Sequence, residues 1–122
     1  FFKKSYSIKT HSGTMTRKIK ALEAINLAHE VGVGEIIVNN INLDGTWNGF
    51  DVDLLKKIVE NSSVPIVALG GAGTLKDIEE VLKHSFVSAV GIGSMAVFQS
   101  KGMGVLIKFP KLEEIEKIIK AL

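Results

Sequence analysis

The 122-residue chain has no cysteine and therefore no disulfide framework, which fits a reducing compartment. It has two prolines, one tryptophan and one tyrosine. No apolar run approaches the ~18–20 residues that a membrane span needs. No basic segment leads into an apolar one at the amino terminus, so no signal peptide is expected. The net charge is only +2 and both signs are mixed along the chain. That leaves no basic stripe for nucleic acid, although a few lysines could serve a phosphorylated small molecule. The three histidines, His11, His29 and His84, have no metal-ligand spacing, and no Ser-His-Asp arrangement is present. Neither a cofactor nor a metal is expected. The first residue is Phe1, not Met, and two aromatics at a natural terminus would be wasteful. The expectation is a fragment whose preceding part is missing.

What the chain does have is apolar content (46%) sufficient for a core, and a regular alternation of elements. "KSYSIKT" (4–10) alternates weakly, as a short exposed strand or hairpin arm. His11-Ser12-Gly13-Thr14 reads as a turn, with Thr14 or Thr16 capping a helix that carries Ile19, Leu22, Ile25 and Leu27 up to Val31. "IIVNNI" reads as a strand. Asp51 caps a second helix with Leu54, Leu55, Ile58 and Val59 inward. "VPIVAL" (64–69) and "VSAVGIG" (87–93) are further strands, with a helix from Thr74 between them. "GVLIKF" is either an extra strand or a loop. Pro110 opens a last helix with Leu112, Ile115, Ile118 and Ile119 inward. Strands apolar on both faces and separated by helices imply a parallel sheet, in a doubly wound fold or part of a (βα)8 barrel.

The loops before the strands are plain, whereas those after them carry Gly, Asn, Asp, Ser and Thr. Ligands of α/β proteins bind at the carboxyl ends of strands, so the second set lies on the ligand face. There "VALGGAGTLKDIEEVL" places Gly70, Gly71 and Gly73 between a strand and a helix. The cluster is neither GxGxxG nor a P-loop. Taken alone it is either a tight turn or an anion cradle of converging N–H groups. The next strand ends "GIGS", and Gly71, Gly93 and Ser94 together favour phosphate binding; Gly91 reads as packing room. The preceding strand leads into Asn39, Asn40, Asn42 and Asp44-Gly45-Thr46, where a carboxylate could meet ligand hydroxyls, act as acid or base, or organise the turn. Trp47 is a candidate lid or interface residue; His29 and His84 read as structural.

"GVGEIIVNNINLDGTWNGFDVDLLKKI", "VPIVALGGAGTLKDIEEVL" and "VSAVGIGSMAVF" together resemble the carboxyl-terminal half of the cyclase subunit of imidazole glycerol phosphate synthase. The shared pattern is Asp44-Gly45-Thr46, Gly49, Asp51, Pro65, Ala68, Gly70-Gly71-Ala72-Gly73 and Ser94, covering the chain from about Ser12 onward. The resemblance implies a (βα)8 barrel, here residues 1–122 as strands six to eight: a half-barrel. It implies a cytoplasmic lyase of histidine biosynthesis. That enzyme takes ammonia from a glutaminase docked on the amino-terminal barrel face and cyclises a two-phosphate substrate. The family's two catalytic Asp residues would precede Phe1, so the fragment alone is expected to be inactive. The phosphate and substrate residues that carry over are Ser12, Asp44, Gly45, Gly70, Gly71, Gly93 and Ser94. The chain departs from the family at Asn39-Asn40, usually Thr-Ser, at Asn42, usually Asp, and at Leu69, usually Ser. "GMGVLIKFP" is also similar to a cyclase-like branch that delivers ammonia for amidation of a bacterial surface sugar. A third reading is a non-catalytic, phosphate-binding scaffold for a glutaminase. A half-barrel leaves strand edges and apolar interior open, so self-association is expected.

Overall fold

The computed structural model describes residues 5–122; Phe1–Lys4, with the start of the arm, lies outside the described residues. The arm is one side of a hairpin: β1 (Ser7–Thr10) pairs antiparallel with β2 (Met15–Lys20). Here the sequence expectation fails, because residues 15–20 form a strand and not a helix. Thr14 and Thr16 do not cap. The Thr14 hydroxyl donates to the His11 carbonyl at 2.7 Å, closing the turn, and Thr16 accepts from Lys9 across the ladder. Arg17 Nε likewise donates to Thr10 Oγ1 at 2.8 Å. Polar cross-strand pairs hold this ribbon, which an apolar periodicity does not reveal.

The first helix, α1 (Ala21–Glu30), therefore starts later than its apolar spacing suggests, where Glu23 accepts the Lys20 N–H at 2.8 Å. Its inward side is Ala21, Ala24, Ile25 and Ala28, while Leu22 and Leu27 are exposed. Three parallel strands follow in sequential order: β3 (Ile36–Asn39), β4 (Ile66–Leu69) and β5 (Ala89–Val90). The last is much shorter than 87–93, since only Ala89 and Val90 pair with β4 before the chain leaves the sheet at Gly91. Between the strands run α2 (Val52–Glu60) and α3 (Leu75–Ser85). Asp51 caps α2 as expected, its Oδ1 accepting Leu54 N–H at 3.2 Å, and its Oδ2 accepts the Tyr6 hydroxyl at 2.8 Å. The arm is thus tied to the start of α2.

Ile66 and Ala68 alternate toward α2 and α3, where Leu54, Leu55, Ile58, Val81 and Val87 complete a buried core. Val67 and Leu69 lie on the other face with Ile37, which is 62% exposed. One side of the sheet is covered by helices and the other is open, as a half-barrel requires. After β5 a single turn of helix, α4 (Ser94–Val97), leads into a loop. "GVLIKF" is loop, with one antiparallel bridge between Phe98 and Val105. The last helix, α5 (Leu112–Lys120), begins past Pro110 because Glu114 accepts the Lys111 N–H at 3.0 Å. Of its four expected inward residues, Ile118 is buried and Ile115 half-buried, while Leu112 and Ile119 are exposed. No described helix is long and apolar enough to cross a membrane.

Candidate functional site

The loops that leave β3, β4 and β5 share the carboxyl edge of the sheet, because the ladder is parallel and in register from Ile36–Ile66 to Ala68–Val90. The loop after β3 builds itself. The Asn40 carbonyl accepts from both Leu43 N–H and Asp44 N–H at 3.0 Å, and Asn40 Oδ1 accepts Asn42 N–H. Thr46 adds its N–H and its hydroxyl to the Leu43 carbonyl. Asp44 contributes a backbone N–H and leaves its carboxylate exposed, beside Gly45 at φ 72°. Of the three roles open to that carboxylate, organising the turn belongs to Asn40 and Thr46 instead.

This loop lies directly on the glycine turn after β4. Gly71 has φ 120°, and its carbonyl accepts Gly49 N–H at 3.0 Å. A Cβ on Gly71 would overlap the Gly49 carbonyl oxygen, and one on Gly73 would lie 2.7 Å from Trp47 Cβ. On Gly70, a Cβ would lie 2.6 Å from Asn39 Oδ1 and 2.7 Å from the Asn40 carbonyl oxygen. Three glycines are thus required by close approach of two backbones, whatever else binds there. Trp47, half-buried at φ 61°, is part of that packing and not a free flap. At the start of α3, Thr74 is the N-cap, and Asp77 Oδ2 accepts Gly73 N–H at 3.0 Å and Thr74 N–H at 2.8 Å. A side chain of the protein already fills that part of the anion cradle, a local partner that the glycine pattern alone did not reveal. The "T-x-x-D" spacing of Thr74 and Asp77 was its available signal.

The turn after β5 differs. Gly91 is packing room, since a Cβ there would lie 2.8 Å from Leu69 Cδ1. Gly93 is exposed, has nothing within 4 Å of a Cβ position, and runs directly into half-buried Ser94. Ser12, exposed at φ 54° in the hairpin turn, is next to Gly13, which packs against Ile41 just beyond β3. The structure therefore puts the turn of Ser12 beside the loop of Asp44, and Gly70 and Gly71 under that same loop. His29 is structural: its ring faces Ser62 Oγ and Ser63 N–H at 3.3 Å, in the connection before β4. Among the described residues no cluster of three or more His, Cys, Asp or Glu could hold a metal.

Residues 2–101 match the family described as "Histidine biosynthesis protein". The chain belongs to that family. A putative imidazole glycerol phosphate synthase subunit hisF2 of Pseudomonas aeruginosa is 39% identical over 111 residues, 91% of this chain and 44% of the relative. A putative subunit HisF of Leptospira interrogans is 34% identical over 113 residues, 93% of this chain and 44% of the relative. The imidazole glycerol phosphate synthase subunit HisF of Lachnoclostridium phytofermentans is 34% identical over 110 residues, 90% of this chain and 43% of the relative. The chain thus spans less than half the length of these curated relatives. The resemblance to the cyclase subunit stands, and with it the (βα)8 barrel as parent fold of these helix–strand units.

Proposed function

We propose that the chain is the carboxyl-terminal half of one barrel domain of the imidazole glycerol phosphate synthase cyclase type. The full protein would use ammonia from a glutaminase, docked on the amino-terminal face, to cyclise and cleave a phosphorylated substrate in histidine biosynthesis. The family match over residues 2–101 carries the reading. In this half, Gly93 and Ser94 would meet a substrate phosphate through open backbone. Gly70 and Gly71 would shape the same rim, Asp44 and Gly45 would form its wall, and Ser12 would approach from the hairpin turn. The open inner face, with Ile37, Val67 and Leu69, is the surface that the other half, or a second copy of the chain, would cover.

A second reading is ammonia delivery for amidation of a surface sugar. "GMGVLIKFP" supports it, and Leu69 departs from the cyclase pattern by putting an apolar side chain where that pattern has a hydroxyl. The test is growth of a histidine auxotroph that lacks its cyclase, complemented by the full-length protein. The cyclase reading predicts growth without histidine. Absence of growth, with ammonia-dependent turnover of a sugar, supports amidation. Absence of both, with glutaminase binding retained, supports a scaffold.

A further inference from the structure

The interlocked loops after β3 and β4 hold a dipeptide with a chemistry of its own. Asn48 is followed by Gly49, whereas the other asparagines precede Leu27, Asn40, Ile41, Leu43 and Ser62. A glycine nitrogen attacks a preceding asparagine carboxamide most readily, because no Cβ obstructs the succinimide ring that forms. Asn48 is exposed, and its carboxamide has no hydrogen-bond partner among the described residues. Asn61, by contrast, ties its Nδ2 to the Lys57 carbonyl at 2.8 Å. The nitrogen that would attack Asn48 is engaged elsewhere. Gly49 N–H donates to the Gly71 carbonyl at 3.0 Å, across the contact between the two loops. Asp77 is close as well, its Oδ1 3.4 Å from the place of a Gly49 Cβ.

We infer that Asn48-Gly49 is a deamidation site, held unreactive by the Gly71 carbonyl while the two loops stay interlocked. Attack requires the Gly49 amide to give up its proton. The hydrogen bond to Gly71 favours the protonated amide, and the Asp77 carboxylate disfavours negative charge developing beside it. When the loops part, the Gly49 proton passes to solvent and its nitrogen bonds to Asn48 Cγ. The Cγ–Nδ2 bond breaks, and the leaving nitrogen takes up a proton and departs as ammonia. Water then opens the succinimide, at Cγ to give aspartate or at the main-chain carbonyl to give isoaspartate. Either product adds a negative charge to the loop that carries Asp44. Isoaspartate also adds a methylene to the main chain, which moves Gly49 off the Gly71 carbonyl. Opening of the interlock and modification of Asn48 therefore reinforce each other.

The test is incubation of the full-length protein at mildly alkaline pH, with peptide mapping by mass spectrometry to follow Asn48. A synthetic peptide of residues 44–52 gives the rate without the interlock. The folded protein should deamidate at Asn48 at least roughly tenfold more slowly than the peptide, because reaction waits on local opening. In urea the protein should react at the rate of the peptide. Hydrogen exchange of the Gly49 amide in the folded protein should be slowed to a similar degree. Equal rates in folded protein and peptide overturn the protection, and an unreactive peptide overturns the site. Slow deamidation beside a freely exchanging Gly49 amide overturns the role of the Gly71 carbonyl.

Discussion

Gly71 and Gly93 look alike in the sequence, and the structure gives them different work. Gly71 is held at φ 120° with its carbonyl bonded to Gly49, and the place of its Cβ is filled by that neighbour's backbone. Gly71→Ala should therefore cost about 3 kcal/mol or more of stability, from left-handed strain plus a backbone clash. Urea unfolding of the full-length protein measures it, and an unchanged midpoint would refute the interlock. The variant is a poor probe of ligand binding for the same reason. Gly93 is the cleaner position, since nothing lies within 4 Å of its Cβ place. The sequence made the positions of these glycines visible, but not what each one touches. A glycine records that a Cβ is unwanted, and the occupant of that space comes from another part of the chain.

At the scale of elements, the legible parts were those with strong apolar contrast. The α2 stripe, the Asp51 cap, the start of a helix near Thr74, and the order of β3, β4 and β5 all follow from residue pattern. The second hairpin strand was not legible, because "MTRKIK" is held by polar pairs such as Arg17–Thr10 and carries little apolar contrast. The outer faces of α1 and α5 misled in the opposite direction: Leu22, Leu27, Leu112 and Ile119 are apolar yet exposed. Asp51 joins two elements, capping α2 and receiving the Tyr6 hydroxyl from the arm. Asp51→Ala should lower stability by about 2 kcal/mol, combining a lost cap with a lost hydrogen bond. Tyr6→Phe should cost only about 1 kcal/mol, the single-bond share. Equal unfolding midpoints for wild type and Asp51→Ala would contradict this linkage.

For the whole molecule, the described residues make a three-stranded parallel sheet with helices on one face and an open apolar face on the other. The chain spans less than half the length of relatives such as the Pseudomonas aeruginosa protein. The loops on the carboxyl edge divide into two sets. The loops after β3 and β4 lock each other in place through Gly49, Trp47, Gly70, Gly71 and Gly73. The turn after β5 leaves Gly93 exposed, and in the proposed site Gly93 and Ser94 meet the phosphate. The most direct measurement is calorimetric titration of inorganic phosphate into the full-length protein and its Gly93→Ala variant, with stability checked in parallel. The expected result is an affinity loss of about tenfold or more, as a methyl group enters the anion's space, with stability changed by no more than ~0.5 kcal/mol. Equal phosphate affinity in the two proteins, at equal stability, would contradict it.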